Sequence, residues 1–213
     1  MSMKAIIFDL DGTLTDSGEG IINCASLALR TLGLPVPDRD TMRVFVGPPL
    51  RETFQKFGVR PEDTERAVEI YRSRYIPVGL FENTPYPGIA ALLAALRADG
   101  HRLYVATAKP ESMAVTVLDK FGLSGYFHRI CGATLDGTRG HKDQVIAYLL
   151  EDMEPADEVI MVGDTHFDVI GAAAHKIPTV GVSWGYGAAS DMLEAGALAI
   201  ADSPSHLLEL LSK

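Results

Sequence analysis

Asp9 and Asp11 stand two residues apart, directly after the apolar run Ala5-Ile6-Ile7-Phe8. A continuously apolar, isoleucine-rich run of this length reads as a buried parallel strand, and Gly12 lets the chain turn after it. Two carboxylates therefore leave the C-terminal end of a strand together, where open α/β sheets bind ligands. Like charges this close repel, so one is protonated or a cation lies between them. The design recurs downstream, where Val159-Ile160-Met161-Val162 ends in Gly163-Asp164 and Asp168 follows four residues later. Asp164, at a strand end, is the better metal ligand. Asp9 and Asp164 sharing one hard cation with several waters is ordinary magnesium coordination. Asp168 falls in a first helical turn, where a carboxylate also interacts well with the dipole. It can support the cation or serve the helix alone.

Four carboxylates around a phosphate need a fixed positive charge beside the metal. Thr138-Arg139-Gly140-His141-Lys142 supplies candidates: Lys142, which starts a helical pattern, and Arg139 as runner-up, with Lys109 a weaker third. Thr107 ends a second strand, Leu103–Ala106, and Pro110 suits a first helical position. A hydroxyl and free amides there make an anion site, unless Thr107 is a helix cap and nothing more. The six histidines are scattered and form no ligand set. Gly12, Gly18 and Gly20 do not follow a dinucleotide fingerprint, and no Gly-x-x-x-x-Gly-Lys loop occurs, which weakens nicotinamide and P-loop readings.

These residues need a scaffold. Five apolar runs read as strands: Ala5–Phe8, Leu103–Ala106, Arg129–Gly132, Glu158–Val162 and Thr179–Val182. Helical patterns lie between most of them, so the expected fold is α/β, a doubly wound Rossmann-like parallel sheet. The stretch from Asp16 to Phe81 breaks the rhythm, with helical patterns at Gly20–Leu32, Leu50–Phe57 and Pro61–Ile76 and no convincing strand. We expect residues 1–15 and 82–213 to form the catalytic core and 16–81 an inserted helical cap domain. Both junctions fall near Asp9 and Asp11, where a small domain is placed to act as a lid. Trp184, Gly185, Tyr186 and Gly187 read as a loop whose aromatics cover the sheet's end.

The net charge of -9 argues against nucleic acid polymers and anionic membranes as partners, since both need a basic face. Cys24 and Cys131 are far apart and show no metal-binding spacing. A strand begins within a few residues of Met1, and no apolar run approaches the roughly 20 residues that span a bilayer. The expected location is cytoplasmic.

Asp9-x-Asp11-x-Thr13, Thr107, Lys142 and Gly163-Asp164-x-x-x-Asp168, in this order, resemble the haloacid dehalogenase-like hydrolase superfamily. The likeness covers nearly the whole chain. The helical insertion looks like the family's type-1 cap, and the pattern resembles phosphoglycolate phosphatase-like members. Phe45-Val46-Gly47-Pro48-Pro49-Leu50 and Leu135-Asp136-Gly137-Thr138-Arg139 look most like the bacterial 5'-nucleotidase-like branch. The resemblance implies that Asp9 is a nucleophile forming an aspartyl-phosphate. Asp11 is then the general acid, and afterwards the base. Thr107 and the amides around it, with Gly12, Thr13, Ala108 and Lys109, hold the phosphoryl group, and Lys142 balances its charge. Asp9, the backbone carbonyl of Asp11, Asp164 and Asp168 hold magnesium. One departure is His141-Lys142-Asp143, where many relatives have Lys-Pro.

A dehalogenase would share Asp9 but not need an acid at Asp11, because a halide leaves without a proton. A phosphonate hydrolase needs a cap lysine, and Lys56, the one lysine of the insertion, falls on a polar helical face. A sugar-phosphate mutase of the β-phosphoglucomutase type uses the same core. From another class, a non-enzymatic phospho-acceptor domain would carry its aspartate after a middle strand. The expected function is a magnesium-dependent phosphomonoester hydrolase of a small phosphorylated metabolite, monomeric or homodimeric. Arg43, Gly47 and Arg51 are the cap's candidate substrate contacts.

Overall fold

The computed structural model describes residues 3–212. The run that carries Asp9 forms β1 (Lys4–Phe8), buried along its whole length. Its side chains divide by the pleat: Ile6 and Phe8 enter one core, Ala5 and Ile7 another. Both faces of β1 are covered, which is why the run is apolar throughout rather than alternating.

The chain then pairs β2 (Thr15–Asp16) and passes into α1 (Gly18–Thr31), α2 (Arg39–Met42), α3 (Leu50–Lys56) and α4 (Thr64–Tyr75), before returning through β3 (Thr84–Pro85). The remainder alternates: α5 (Ile89–Ala98), β4 (Arg102–Pro110), α6 (Glu111–Lys120), β5 (Arg129–Ala133), α7 (Lys142–Glu151), β6 (Glu158–Gly163), α8 (His166–Ala173), β7 (Thr179–Val182), α9 (Ala189–Glu194), β8 (Ala199–Ala201) and α10 (Pro204–Leu211). The sheet order is β5-β4-β1-β6-β7-β8, and every pairing is parallel. The chain builds outward from β1 through β4 to β5, then crosses to β6 on the other side. This reversal opens a crevice at the carboxyl end of β1, and Asp9 and Asp11 stand there. Buried residues of α5, α6 and α10 share the core of Ile6 and Phe8, and those of α7 and α8 share the core of Ala5 and Ile7.

The apolar side chains of the helical insertion are continuous with the core of Ile6 and Phe8. Phe45 lies 5.1 Å from Phe54 and 4.8 Å from Phe57 by ring centroids, and Tyr71 stacks on Tyr75 at 4.9 Å. Antiparallel β2 and β3 bring the outgoing and returning segments together, with Thr15 opposite Pro85 and Asp16 opposite Thr84.

Three expectations need correction. A sixth strand, β8, joins the sheet edge; Ala199-Ile200-Ala201 is too short to read as one. Strand β4 continues through Thr107 to Pro110, with a register break between them. Pro110 therefore precedes α6, and Thr107 is three residues too early to cap that helix. No helix among the described residues is long and apolar enough to cross a membrane.

Candidate active site

Asp9, Asp164 and Asp168 bring carboxylate oxygens within 4.8 Å of one another, and all three are buried. Strand β1 delivers Asp9, whose amide donates to the Val162 carbonyl at 2.9 Å; β6 delivers Asp164, and the first turn of α8 delivers Asp168. Lys142, the first residue of α7, reaches into this cluster. Its ammonium lies 2.7 Å from Asp9 Oδ1 and 2.8 Å from Asp168 Oδ1, and donates to the Ala106 carbonyl at 2.9 Å. One ammonium faces three carboxylates. Burial raises the pKa of Asp9 to about 6 against the pull of Lys142, and Asp168 and Asp11 add to the rise. Burial, then Asp168 and Asp9, push Asp164 well above the ordinary carboxylate range. Burial opposes charge on Lys142, but Asp168 and Asp9 outweigh it and hold the ammonium charged. Three hard oxygen donors with excess negative charge fit a divalent cation.

Asp168 divides its two oxygens. Oδ2 accepts from the Thr165 amide at 3.0 Å and hydroxyl at 2.9 Å, closing a capping box at the start of α8. Oδ1 faces Lys142. The side chain thus serves the helix and anchors the lysine at once. Arg139 goes elsewhere: it donates to the Gly132 carbonyl, pairs with Glu111 and stacks over Tyr148 at 3.7 Å. Of the two candidate cations in that segment, the structure brings only Lys142 to the acids.

Asp11 turns away from this cluster. Both its oxygens meet the Lys109 ammonium, at 2.8 and 2.6 Å, and the lysine side chain is 3% exposed. The Tyr75 ring, at the end of α4, lies 5.2 Å from the same ammonium. Lys109 is therefore tied to Asp11, and any cation contact from Asp11 falls to its backbone. Thr107 is buried, and its hydroxyl accepts from the Lys109 amide at 3.2 Å.

The turn after Asp9 is shaped around Asp164. Gly12 has φ +88°, and a Cβ there would stand 2.2 Å from Asp164 Oδ2. Thr13 donates its hydroxyl to Asp164 Oδ1 at 3.1 Å. The Trp184–Gly187 loop does more than cover the sheet: Trp184 Nε1 donates to the Thr13 carbonyl at 3.0 Å, and the Tyr186 amide donates to Asp164 Oδ2 at 2.8 Å. A Cβ on Gly185 would meet both Asp164 and the Gly12 carbonyl at 2.4 Å or less. The Tyr186 hydroxyl donates to Asp16 and accepts from the Gly18 amide at the start of α1. Tyr75 and Tyr186 escaped the sequence reading because each acts on residues far away in the chain.

A cavity of about 170 Å³ lies between insertion and core, lined by Asp11, Lys109, Tyr75, Arg51 and Arg72 among others. A second, of about 250 Å³, reaches Asp9, Lys142 and Asp168. Gly47, Pro48, Pro49 and Ala108 line both. Gly47, at φ +105°, aims its turn at Thr165. Arg51 lines the first cavity while held by Glu65, at 2.5 and 2.9 Å. Arg43 lines neither cavity; it donates to the Gly185 carbonyl at 3.4 Å and lies 5.2 Å over the Tyr186 ring.

Residues 6–182 match the family model described as haloacid dehalogenase-like hydrolase. The chain belongs to this family. Hydrolases of the haloacid dehalogenase-like family are generally metal-dependent, and the acid cluster agrees. Among relatives, the chain is 47% identical over 189 residues to the tyrosine-protein kinase PtkA of Mycobacterium tuberculosis, covering 88% of this chain and 65% of that protein. The chain thus spans about two thirds of the length of that relative. It is 41% identical over 189 residues to a 5'-nucleotidase of Pseudomonas aeruginosa, covering 88% of this chain and 86% of the relative. A solved structure of a predicted phosphatase from Clostridium acetobutylicum superposes with a TM-score of 0.95 at 38% identity, covering 100% of this chain and 99% of that one.

Proposed function

We propose that this chain is a magnesium-dependent phosphomonoester hydrolase working through an aspartyl-phosphate on Asp9, on a small phosphorylated metabolite. The observation that carries this reading is the division of labour at one turn. Asp9 points into the acid cluster beside Lys142, whereas Asp11 points into the cavity under the insertion. Asp9, Asp164, Asp168 and the Asp11 carbonyl would hold the cation, which when bound offsets phosphoryl charge and keeps Asp9 ionised. An Asp9 oxygen attacks phosphorus as the bond to the leaving oxygen breaks, and the Asp11 carboxyl gives that oxygen a proton. Asp11, now a carboxylate, takes a proton from water. The water oxygen attacks phosphorus, the bond to Asp9 breaks, and inorganic phosphate leaves. Thr107, with the amides of Ala108 and Lys109, would hold phosphoryl oxygens, and Lys142 would stabilise the charge that develops there. Residues 16–81 act as the cap. Gly47 and Arg51 face the leaving group, and Arg43 braces the Tyr186 loop rather than the substrate.

Phosphate release across a panel of phosphorylated metabolites, with magnesium and with chelator, tests this. We expect magnesium-dependent release, with nucleoside monophosphates and phosphoglycolate near the top of the ranking. The 5'-nucleotidase and phosphoglycolate phosphatase relatives support both substrates. The kinase name of a 47% identical relative supports a second reading, phosphoryl transfer to tyrosine. Labelled ATP with a tyrosine peptide separates the two, since label on peptide in place of free phosphate would favour transfer.

A further inference from the structure

Hydrolysis through Asp9 and Asp11 gives the Lys109 ammonium no step of its own. Yet it is buried at the edge of the cavity where the leaving group would sit. An ammonium is expensive to bury without partners, and Lys109 has two kinds. Both Asp11 oxygens contact it, which fixes the carboxylate's rotation, and the Tyr75 ring covers it from the other domain. General acid catalysis depends on the acid lying within hydrogen-bond reach of the leaving oxygen in the right orientation.

We propose that Lys109 is a positioning residue for Asp11: its ammonium orients the carboxyl toward the leaving oxygen, and Tyr75 links that orientation to the seating of the cap. The proposal rests on the phosphomonoesterase reading. It separates two roles that Lys109 could play. A lysine holding phosphoryl oxygens would affect every ester alike, because every ester presents the same phosphoryl group. A lysine acting through the acid affects esters according to how much their leaving group needs a proton.

The test compares kcat/KM of the magnesium-loaded enzyme on p-nitrophenyl phosphate and on glycerol 2-phosphate. This parameter covers steps only through departure of the leaving group, so later attack by water does not enter. Nitrophenolate leaves without a proton; an alkoxide needs one. In Lys109→Met the ratio of alkyl to aryl kcat/KM should fall at least ~100-fold, within the range that general acid catalysis contributes. Tyr75→Leu should lower the same ratio less, and Lys109→Arg should recover part of it. Equal losses on the two esters, or a rise in KM alone, would overturn the proposal. Melting curves establish that each variant is folded. If Lys109→Met is not, the polar, uncharged Lys109→Gln decides by the same ratio. If the wild type hydrolyses neither ester, the phosphomonoesterase reading itself fails, a result distinct from any ratio.

Discussion

Two buried lysines, Lys142 and Lys109, sit on opposite sides of the turn that carries Asp9 and Asp11, and their surroundings differ in charge balance. Lys142 touches two carboxylates and has Asp164 close behind them. Lys109 touches one. The first centre retains negative charge after its lysine is counted, and the second is neutral. A neutral buried pair is complete; an unbalanced one requires a cation from outside or protons. The first centre therefore calls for a cation, and the second holds the Asp11 carboxylate in a fixed rotation.

The comparison can be broken in several ways. The largest expected effect is Asp9→Asn, which on the proposed mechanism removes the attacking carboxylate. Phosphate release should fall by roughly 10³-fold or more on every ester, a barrier rise of at least ~4 kcal/mol, while the protein still melts cooperatively. Next come the lysines, followed by melting in chelator and in magnesium. Lys142→Met and Lys109→Met should each lose about 3–5 kcal/mol in chelator, because each leaves buried carboxylate uncompensated. Magnesium should restore much of the loss in Lys142→Met, by about 2–3 kcal/mol when well above its dissociation constant. In Lys109→Met, whose acid cluster is intact, magnesium should stabilise the variant as much as the wild type and leave the gap between them open. Equal restoration would erase the distinction between the centres.

A smaller effect concerns the return from the insertion. Arg74 of α4 holds Glu82 at 2.8 and 2.7 Å, and hydrogen bonding to Arg74 lowers the Glu82 pKa despite partial burial. Glu82→Gln should cost ~0.5–1 kcal/mol, as expected for a half-buried ion pair. Because the folded-state pKa is lowered, this contribution is complete above the unfolded carboxylate pKa and fades as pH falls through the folded value. Urea melts of wild type and Glu82→Gln should therefore converge in acid. A constant gap at all pH values would assign the effect to packing.

What could be read in the residues, and what could not, follows from the range of each interaction. Asp9 and Asp164 are conspicuous because a strand covered on both faces must be apolar, so an acid at its end stands out. Lys142 is visible as the start of a helical pattern, and Arg139 stays its runner-up until it is seen bound to Gly132 and Glu111. Strand β8 is missed because three residues are too few to carry a periodic signal. Tyr186 is missed as a support because its amide reaches Asp164 and its hydroxyl reaches Asp16, 170 positions away. Lys109 reads as a weaker candidate cation or a phosphoryl contact, since nothing local announces that β4 runs on to Pro110 and that the lysine side chain meets Asp11. Only the assembled sheet shows these contacts.

On the proposed mechanism the phosphoryl group passes through Asp9. This is tested most directly by mixing enzyme, magnesium and a good substrate, quenching in acid within the first turnover, and mapping the phosphorylated peptide by mass spectrometry. A phosphoryl adduct should appear on the peptide containing Asp9, formed and lost at rates consistent with turnover and missing in Asp9→Asn. Full turnover with no adduct on that peptide, or an adduct on another residue, would contradict that mechanism.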